Sequence, residues 1–192
     1  LLWIGARTSV NPFTVQEIAD AMRGVQRPVM VKNPINPDLD LWKGALERIL
    51  RADVSEVIAC HRGFNVYGKS RYRNAPLWEI PIELKREFPE LPLICDPSHI
   101  GGKRQYIEDI SRKALDLGYE GLMIETHPNP DAAWSDAAQQ LTPEAFQEMM
   151  ARLQFRKHHT DNPGYTEIVN GLREAIDTLD EQLMKLLAER MQ

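Results

Sequence analysis

The stretch Leu91-Pro92-Leu93-Ile94-Cys95-Asp96-Pro97-Ser98-His99 decides the fold, because a short apolar run ends abruptly in ionisable side chains. Further strand candidates with this pattern lie at residues 1–5, 28–31, 54–59 and 121–124. Helical patterns lie between and after the strands, at residues 14–25, 39–51, 77–87, 106–117 and 143–153. Continuous apolar runs are typical of parallel strands that are covered on both faces. The alternation of strand and helix therefore predicts a parallel α/β sheet.

The polar ends of these strands favour a barrel over an open sheet. In a (β/α)8 barrel, the carboxyl ends of all strands converge on one site, whereas an open sheet brings ligands mainly to its switch point. The ionisable residues that end the runs are Arg7, Lys32, His61, Arg62, Asp96, His99, Glu125 and His127. We therefore predict a TIM barrel, of which this chain supplies five strand–helix units. The three units that would complete it are expected upstream.

Composition narrows the class of partner. The net charge of -5 argues against nucleic acid or an anionic membrane, because an acidic surface attracts neither. No apolar stretch is as long as a membrane span, and no signal peptide is recognisable. Cys60 and Cys95 each lie in an apolar run, which predicts reduced core residues and a cytoplasmic protein. The chain opens inside a strand without Met, so we expect a piece of a longer protein.

Three cations follow strand candidates. Arg7, Lys32 and Arg62 would repel one another at one barrel mouth unless an anion lies among them. A phosphate with a neighbouring carboxylate fits, because arginine can hold either group by two parallel hydrogen bonds. The alternative is that each cation forms a surface salt bridge with a nearby acid.

A possible metal site combines His99, Glu125 and Asp136. One imidazole and two carboxylates suit a divalent ion such as Mn²⁺, Fe²⁺ or Zn²⁺. The alternative for His99 is a hydrogen-bonded structural histidine. His61 and His127 are further candidates, either as partners of the ligands or proton carriers, or as residues that only pack at the rim.

Six segments together resemble 3-deoxy-D-arabino-heptulosonate 7-phosphate (DAHP) synthase, of the type I beta-like class, over about residues 1–153. They occur in the order typical of that family. They are Ile4-Gly5-Ala6-Arg7-Thr8-Ser9, Val31-Lys32-Asn33-Pro34, Cys60-His61-Arg62-Gly63, Asp96-Pro97-Ser98-His99, Gly121-Leu122-Met123-Ile124-Glu125-Thr126-His127-Pro128-Asn129-Pro130 and Trp134-Ser135-Asp136-Ala137-Ala138-Gln139-Gln140-Leu141-Thr142-Pro143. The family is a (β/α)8 barrel, so the resemblance implies that this chain contains strands four to eight.

The resemblance implies a reaction and roles for residues. The family condenses phosphoenolpyruvate with erythrose 4-phosphate in the first step of the shikimate pathway. Arg7, Lys32 and Arg62 match the residues that hold phosphoenolpyruvate, and Lys32, Arg62 and His99 are the catalytic candidates. His99, Glu125 and Asp136 match three of four ligands of a divalent transition metal. We expect Mn²⁺, with Fe²⁺, Zn²⁺ or Co²⁺ as alternatives.

Two features of the family are missing from the sequence, and a third departs from the family pattern. The fourth ligand is a cysteine in an upstream Gly-Pro-Cys motif, and neither Cys60 nor Cys95 stands in that setting. The upstream Lys-Pro-Arg-Thr segment is also absent from the sequence. His61 stands where Glu is common, which would alter proton handling or metal tuning.

A polar stretch, residues 154–164, predicts a linker, and one long helix follows at residues 165–192. Its apolar stripe requires partner helices. The stripe is Ile168, Leu172, Ile176, Leu179, Leu183, Leu186 and Met191. The helix resembles the first helix of the all-α, AroQ-type chorismate mutase, which converts chorismate to prephenate. The resemblance implies that Arg173 and Arg190 bind chorismate and that the helix forms an intertwined homodimer or a larger oligomer.

Three other functions remain open at this point. One is the sister enzyme that condenses phosphoenolpyruvate with arabinose 5-phosphate, which the mutase-like helix argues against. The second is a metal-dependent barrel hydrolase, which would consume no phosphoenolpyruvate. The third is a regulatory or assembly module in which the last helix only dimerises.

Overall fold

The computed structural model of the chain describes residues 1–68, 70–155 and 163–190. It divides into two compact units, Leu1–Phe155 and Arg156–Gln192. Residues 156–162 of the predicted linker and Met191 of the predicted apolar stripe lie outside the described residues. The assignment of the two units to a synthase barrel (residues 1–153) and a mutase domain (residues 165–192) stays a prediction.

Strands and helices alternate along the first unit. The strands are β1 (Leu2–Ile4), β2 (Pro28–Lys32), β3 (Glu56–His61), β4 (Leu93–Cys95) and β5 (Gly121–Leu122). The helices are α1 (Pro12–Ala21), α2 (Leu39–Leu50), α3 (Glu79–Glu87), α4 (Pro97–Gly101), α5 (Ile107–Asp116) and α6 (Pro143–Arg152). Short 3-10 helices lie at Arg104–Tyr106, Pro130–Ala132 and Ala137–Gln139. The described part of the second unit is one helix, α7 (Pro163–Arg190).

The five strands form one parallel sheet in the sequential order β1-β2-β3-β4-β5. A doubly wound sheet reverses its direction of growth at a switch point, whereas a barrel wall adds each strand beside the one before it. The observed order is therefore TIM-barrel-like, and the predicted parallel α/β fold is confirmed. The register aligns Lys32 with Cys60 and His61 with Cys95, which brings the carboxyl ends of β2, β3 and β4 to the same edge.

The core lies between the sheet and its helices. Trp42 on α2 is fully buried, and its indole Nε1 donates a hydrogen bond to the carbonyl of Val31 at 3.3 Å. Leu46 and Ile49 on the same helix are also fully buried. Burial of each such side chain contributes about 1.5–3 kcal/mol. This packing fixes the position of β2 and therefore of the polar residues that follow it.

The boundaries of several elements differ from the sequence prediction: β4 and β5 are shorter than predicted, α1 ends at Ala21, and α3 begins at Glu79. Two further shifts have clear local reasons. Strand β3 begins at Glu56 rather than residue 54, because the turn at residues 51–53 ends on Asp53 with a left-handed φ of 56° and the chain becomes extended only after Ser55. Helix α1 begins at Pro12, two residues before the predicted start. The side chain of Asn11 accepts hydrogen bonds from the amides of Phe13 and Thr14 and so caps the helix.

Helix α4 was not predicted. Its five residues carry His99, and Asp96 caps it by accepting a hydrogen bond from the His99 amide at 3.0 Å. Asp before Pro is a helix-start signal that the sequence contained, because the carboxylate caps the first turn and Pro fits its first position.

Helix α7 is a single helix of 28 residues, and a long helix was predicted here, but it begins at Pro163, so residues 163–164 of the predicted linker belong to the helix. The stripe residues Ile168, Leu172, Ile176, Leu179 and Leu183 are all more than half exposed. Within the described residues, no helix is both long and apolar enough to cross a membrane.

Candidate functional site

One cavity of about 330 Å³ lies at the carboxyl ends of the strands. Its charged and titratable lining residues are Arg7, Lys32, Arg62, Arg73, His99 and Asp136. The structure therefore brings the three predicted anion binders together with two of the three predicted metal ligands. Glu125 joins the others through a cluster in which ligand atoms of His99, Glu125 and Asp136 all lie within 4.8 Å of one another.

Lys32 is held at the cavity by a buried ion pair. It ends strand β2, and its Nζ lies 2.8 Å from Asp96 Oδ2, with both side chains nearly inaccessible to water. Burial alone would raise the pKa of the Asp96 carboxyl. Its contacts with His99 and Lys32 outweigh burial and hold that pKa below its ordinary value. Asp96 therefore stays ionised and fixes Lys32.

Arg62 is buried beside the strand end and is held by two asparagines. Its amide donates to Asn33 Oδ1 at 2.7 Å, and its Nη1 donates to Asn74 Oδ1 at 2.9 Å. Burial lowers the pKa of the guanidinium, which still remains a cation because an arginine in a protein does not lose its proton. The other end of the Asn74 amide donates to the His99 carbonyl at 2.7 Å. Asn74 thus links Arg62, on the cationic side of the cavity, to the helix that carries His99.

The metal-seeking cluster, which is the group of His99, Glu125 and Asp136, has the imidazole and two carboxylates that the sequence predicted as metal ligands. His99 Nδ1 is buried and, within the described residues, has no hydrogen-bond partner. It lies 2.9 Å from Asp96 Oδ2 and 3.7 Å from Glu125 Oε1. The contact between His99 Nδ1 and Asp96 Oδ2 is short but lacks the angles of a hydrogen bond, so it is an electrostatic contact. One imidazole and two carboxylates at this spacing fit a divalent transition metal.

The loop that carries Asp136 adopts an unusual backbone conformation. Asp136 has a left-handed φ of 51°, which Asp tolerates better than most residues. The 3-10 helix Ala137–Gln139 follows directly, and the backbone N–H of Gln139 donates a hydrogen bond to the backbone carbonyl of Asp136 at 3.0 Å. This tight turn brings Asp136 and Gln139 to the same cluster.

Sequence reasoning missed Arg73, Asn74 and Gln139. Arg73 and Asn74 lie in the loop between β3 and α3, where no strand end marks them. The side chain of Gln139 carries no charge, so nothing in the sequence marks it as a residue of the site. Only the folded chain shows that these side chains face the cavity or its ligands.

His61 does not line the cavity. Its Nε2 lies 2.7 Å from the Pro76 carbonyl and its Nδ1 lies 2.9 Å from the Tyr119 hydroxyl. A carbonyl can only accept, so Nε2 carries the proton and Nδ1 accepts from Tyr119. Burial lowers the pKa of His61 to about 3. This neutral ring also packs edge-on against Trp78. His61 therefore packs and hydrogen-bonds rather than carrying protons to the site.

The remaining candidates have local roles or stay untested. His127 Nδ1 accepts a hydrogen bond from the Asn129 amide at 3.0 Å. Cys60 and Cys95 are buried free thiols, and burial raises the pKa of both. Arg173 and Arg190 lie on α7, and their proposed contact with chorismate stays a prediction.

Comparisons with known proteins identify relatives of the chain. The DAHP synthetase I family matches residues 1–160. The chain is 30% identical over 153 residues to a phospho-2-dehydro-3-deoxyheptonate aldolase from Thermotoga maritima, covering 80% of this chain and 44% of that protein. It is 25% identical over 149 residues to a 2-dehydro-3-deoxyphosphooctonate aldolase from Pseudomonas putida, covering 71% of this chain and 52% of that protein.

A solved structure matches the fold as well. The truncated form of DAHP synthase from Thermotoga maritima superposes with a TM-score of 0.67 at 30% sequence identity, covering 78% of this chain and 55% of that chain. The chain therefore spans about half the length of the relatives that it matches. The family match extends over more than three quarters of the chain, and on that ground the chain belongs to the DAHP synthetase I family.

Proposed function

We propose that the protein carrying this chain is a metal-dependent DAHP synthase, which condenses phosphoenolpyruvate with erythrose 4-phosphate. The observation that carries the proposal is the shared cavity, in which Arg7, Lys32 and Arg62 face His99 and Asp136. Cations suited to a phosphate and a carboxylate lie beside side chains suited to a metal. A condensation needs both groups, because the anionic donor must be held close to a polarised aldehyde.

The cations would bind and orient phosphoenolpyruvate. Lys32, fixed by Asp96, and Arg62, fixed by Asn74, supply charge in a buried setting where each hydrogen bond is stronger than in water. Arg7 is exposed at the rim of the cavity and would contact the anion from the solvent side. Carbon 3 of phosphoenolpyruvate would attack the aldehyde, water would add at carbon 2, and phosphate would leave.

His99, Glu125 and Asp136 would hold the metal, with Mn²⁺ expected and Fe²⁺, Zn²⁺ or Co²⁺ as alternatives. When bound, this ion would supply Lewis-acid polarisation of the aldehyde oxygen. The buried Nδ1 of His99, which lacks a hydrogen-bond partner within the described residues, supports this role, because a buried polar atom is normally satisfied.

The test is an assay for loss of phosphoenolpyruvate by the complete protein. We expect consumption that requires both erythrose 4-phosphate and a divalent cation, and that stops when a chelator is added. Preference for arabinose 5-phosphate over erythrose 4-phosphate would identify the sister enzyme instead. Hydrolysis of another substrate without consumption of phosphoenolpyruvate would contradict the synthase and support a barrel hydrolase.

We propose a second activity, chorismate mutase, for the unit that contains α7, with chorismate held by Arg173 and Arg190. The support is a long helix with an exposed apolar stripe, which needs partner helices. The two arginines are 17 positions apart, hence about 25 Å along a straight helix. One small dianion cannot reach both in one chain, so a homodimer would supply one arginine from each copy.

Two substitutions separate mutase catalysis from simple dimerisation. We expect Arg173→Ala and Arg190→Ala each to abolish conversion of chorismate to prephenate while the protein stays dimeric. Glu174→Ala, a change of a neighbouring charged residue, is the control and should retain activity. Full mutase activity in both arginine variants would leave α7 as an assembly helix.

A cytoplasmic location stays a prediction from the reduced cysteines and the biosynthetic reaction. We likewise expect no nucleic acid or membrane among the partners.

A further inference from the structure

The two carboxylates of the metal-seeking cluster each have one oxygen engaged by a donor. Glu125 Oε2 accepts a hydrogen bond from Gln139 Nε2 at 2.8 Å. Asp136 Oδ1 pairs with Arg73 Nη1 at 2.6 Å. The opposite oxygen of Glu125, Oε1, is the atom that lies 3.7 Å from His99 Nδ1. Each carboxylate is therefore held through one oxygen, which leaves the second available to a ligand.

Arg73 and Gln139 also contact each other. Arg73 Nη1 donates to Gln139 Oε1 at 2.8 Å, in addition to its bond with Asp136. The side-chain amide of Gln139 thus accepts a hydrogen bond from Arg73 through its oxygen and donates one to Glu125 through its nitrogen. The side chain is 1% exposed, so water cannot replace either partner. The chain of contacts Arg73–Gln139–Glu125 fixes the orientation of the amide and, through it, of the carboxylate.

The backbone supports this arrangement from three separate segments. Asp136 and Gln139 share one turn, Glu125 follows β5, and Arg73 lies in the loop after β3. Gly102, with a left-handed φ of 67°, lies directly beneath Arg73, and a Cβ there would come within 2.5 Å of Arg73 Cβ. The close approach seats the arginine against the end of α4, the helix that carries His99.

We propose that Arg73 and Gln139 are positioning residues that turn Glu125 and Asp136 so that each binds the metal through a single oxygen. The proposal rests on the proposed function for the presence of a metal at this cluster. It goes further because it assigns a role to two residues outside the ligand set. It also makes the site a poor one for Ca²⁺, which takes six to eight oxygens and often a bidentate carboxylate.

The decisive experiment compares Gln139→Met with Gln140→Met. Methionine has a similar volume and removes both side-chain hydrogen bonds of Gln139, whereas the side-chain amide of the neighbouring Gln140 donates to the Ser135 carbonyl instead. The dissociation constant for Mn²⁺ alone is measured by calorimetry on the complete protein, without substrates. We expect Gln139→Met to weaken Mn²⁺ binding about 10- to 100-fold, the usual effect of losing a partner of a metal ligand. Gln140→Met should bind as the wild type does.

A second pair of variants guards against misfolding at the buried position. Arg73→Lys keeps the charge but replaces the rigid planar guanidinium, whose Nη1 donates to both Asp136 and Gln139, with a flexible ammonium on a shorter side chain. Arg71→Lys is its control, because Arg71 stacks on Tyr72 and Tyr106 instead. Weaker Mn²⁺ binding in Arg73→Lys alone, with an unchanged circular dichroism spectrum, supports the proposal.

Wild-type Mn²⁺ affinity in both Gln139→Met and Arg73→Lys overturns the proposal, and so does a wild-type protein that binds no Mn²⁺. The proposed function fails by a different measurement. A wild type that binds Mn²⁺ but consumes no phosphoenolpyruvate with erythrose 4-phosphate would refute the synthase activity and leave the positioning role intact.

Discussion

Two histidines near neighbouring strand ends have opposite environments. His61 is the last residue of β3 and pairs in register with Cys95, the last residue of β4. His99 follows four residues later on α4. His61 has both ring nitrogens engaged by neutral partners, whereas Nδ1 of His99 is buried among carboxylates and makes no hydrogen bond with any residue that the structure describes.

The difference shows that a place at a strand end does not by itself put a side chain in the site. Successive residues of a strand point to opposite faces. Arg62 lines the cavity, and His61 directly before it packs against Trp78 and Tyr119 instead. His99 reaches the cavity because Asp96 caps a short helix that turns the chain back over the strand ends.

The largest expected effect comes from removing the imidazole that faces the cavity. We expect His99→Ala to lower kcat for phosphoenolpyruvate consumption by about 10²- to 10³-fold, because metal polarisation of a carbonyl contributes several kcal/mol. His61→Gln is the matched variant and should retain activity per folded molecule. The measurement is steady-state kinetics with saturating Mn²⁺. Equal losses in the two variants would erase the proposed distinction between the histidines.

A smaller effect is expected on the anion side of the cavity. We expect Arg62→Ala to lower kcat/KM for phosphoenolpyruvate about 10- to 100-fold, because a hydrogen bond to a charged group contributes about 1.5–3 kcal/mol. Arg71→Ala removes an exposed arginine of the neighbouring loop and serves as the control. Saturation kinetics in phosphoenolpyruvate measure both. An unchanged KM in Arg62→Ala would contradict its role in binding the substrate.

The smallest effect, taken per pH unit, concerns stability and sharpens the description of His61. Its pKa is about 3 when folded and about 6.5 when unfolded. Between these values the unfolded chain binds a proton that the folded chain does not. The free energy of unfolding should therefore fall by about 1.4 kcal/mol for each pH unit below 6.5 from this residue, and the effect should vanish above it.

Denaturant unfolding at several pH values measures that slope. His61→Gln removes the titrating group, so its stability should depend less steeply on pH than that of the wild type. Phe64→Leu alters the packing beside His61 without removing it, and should lower stability at every pH while keeping the slope. An identical slope in wild type and His61→Gln would mean that the ring is not held neutral.

The periodic parts of the fold were predictable, and the irregular parts were not. Apolar runs located the strands and most helices, because a local pattern determines them. The side chains of Asp38 and Thr142 cap α2 and α6 by accepting hydrogen bonds from backbone amides, which is a local signal of the same kind. The shift of β3 depended on the left-handed Asp53, which has no sequence signature. Arg73, Asn74 and Gln139 escaped prediction because loops bring them to the cavity from distant positions.

By itself, the sequence determined which residue types end each strand, and so which chemistry this protein can carry: cations for an anion, and an imidazole with carboxylates for a metal. Only the tertiary structure decided which of these side chains meet. The order of the parallel strands brings Lys32 to Asp96 and His99 to Glu125. Contacts between residues far apart in the chain depend on packing and loop geometry, which no local pattern contains.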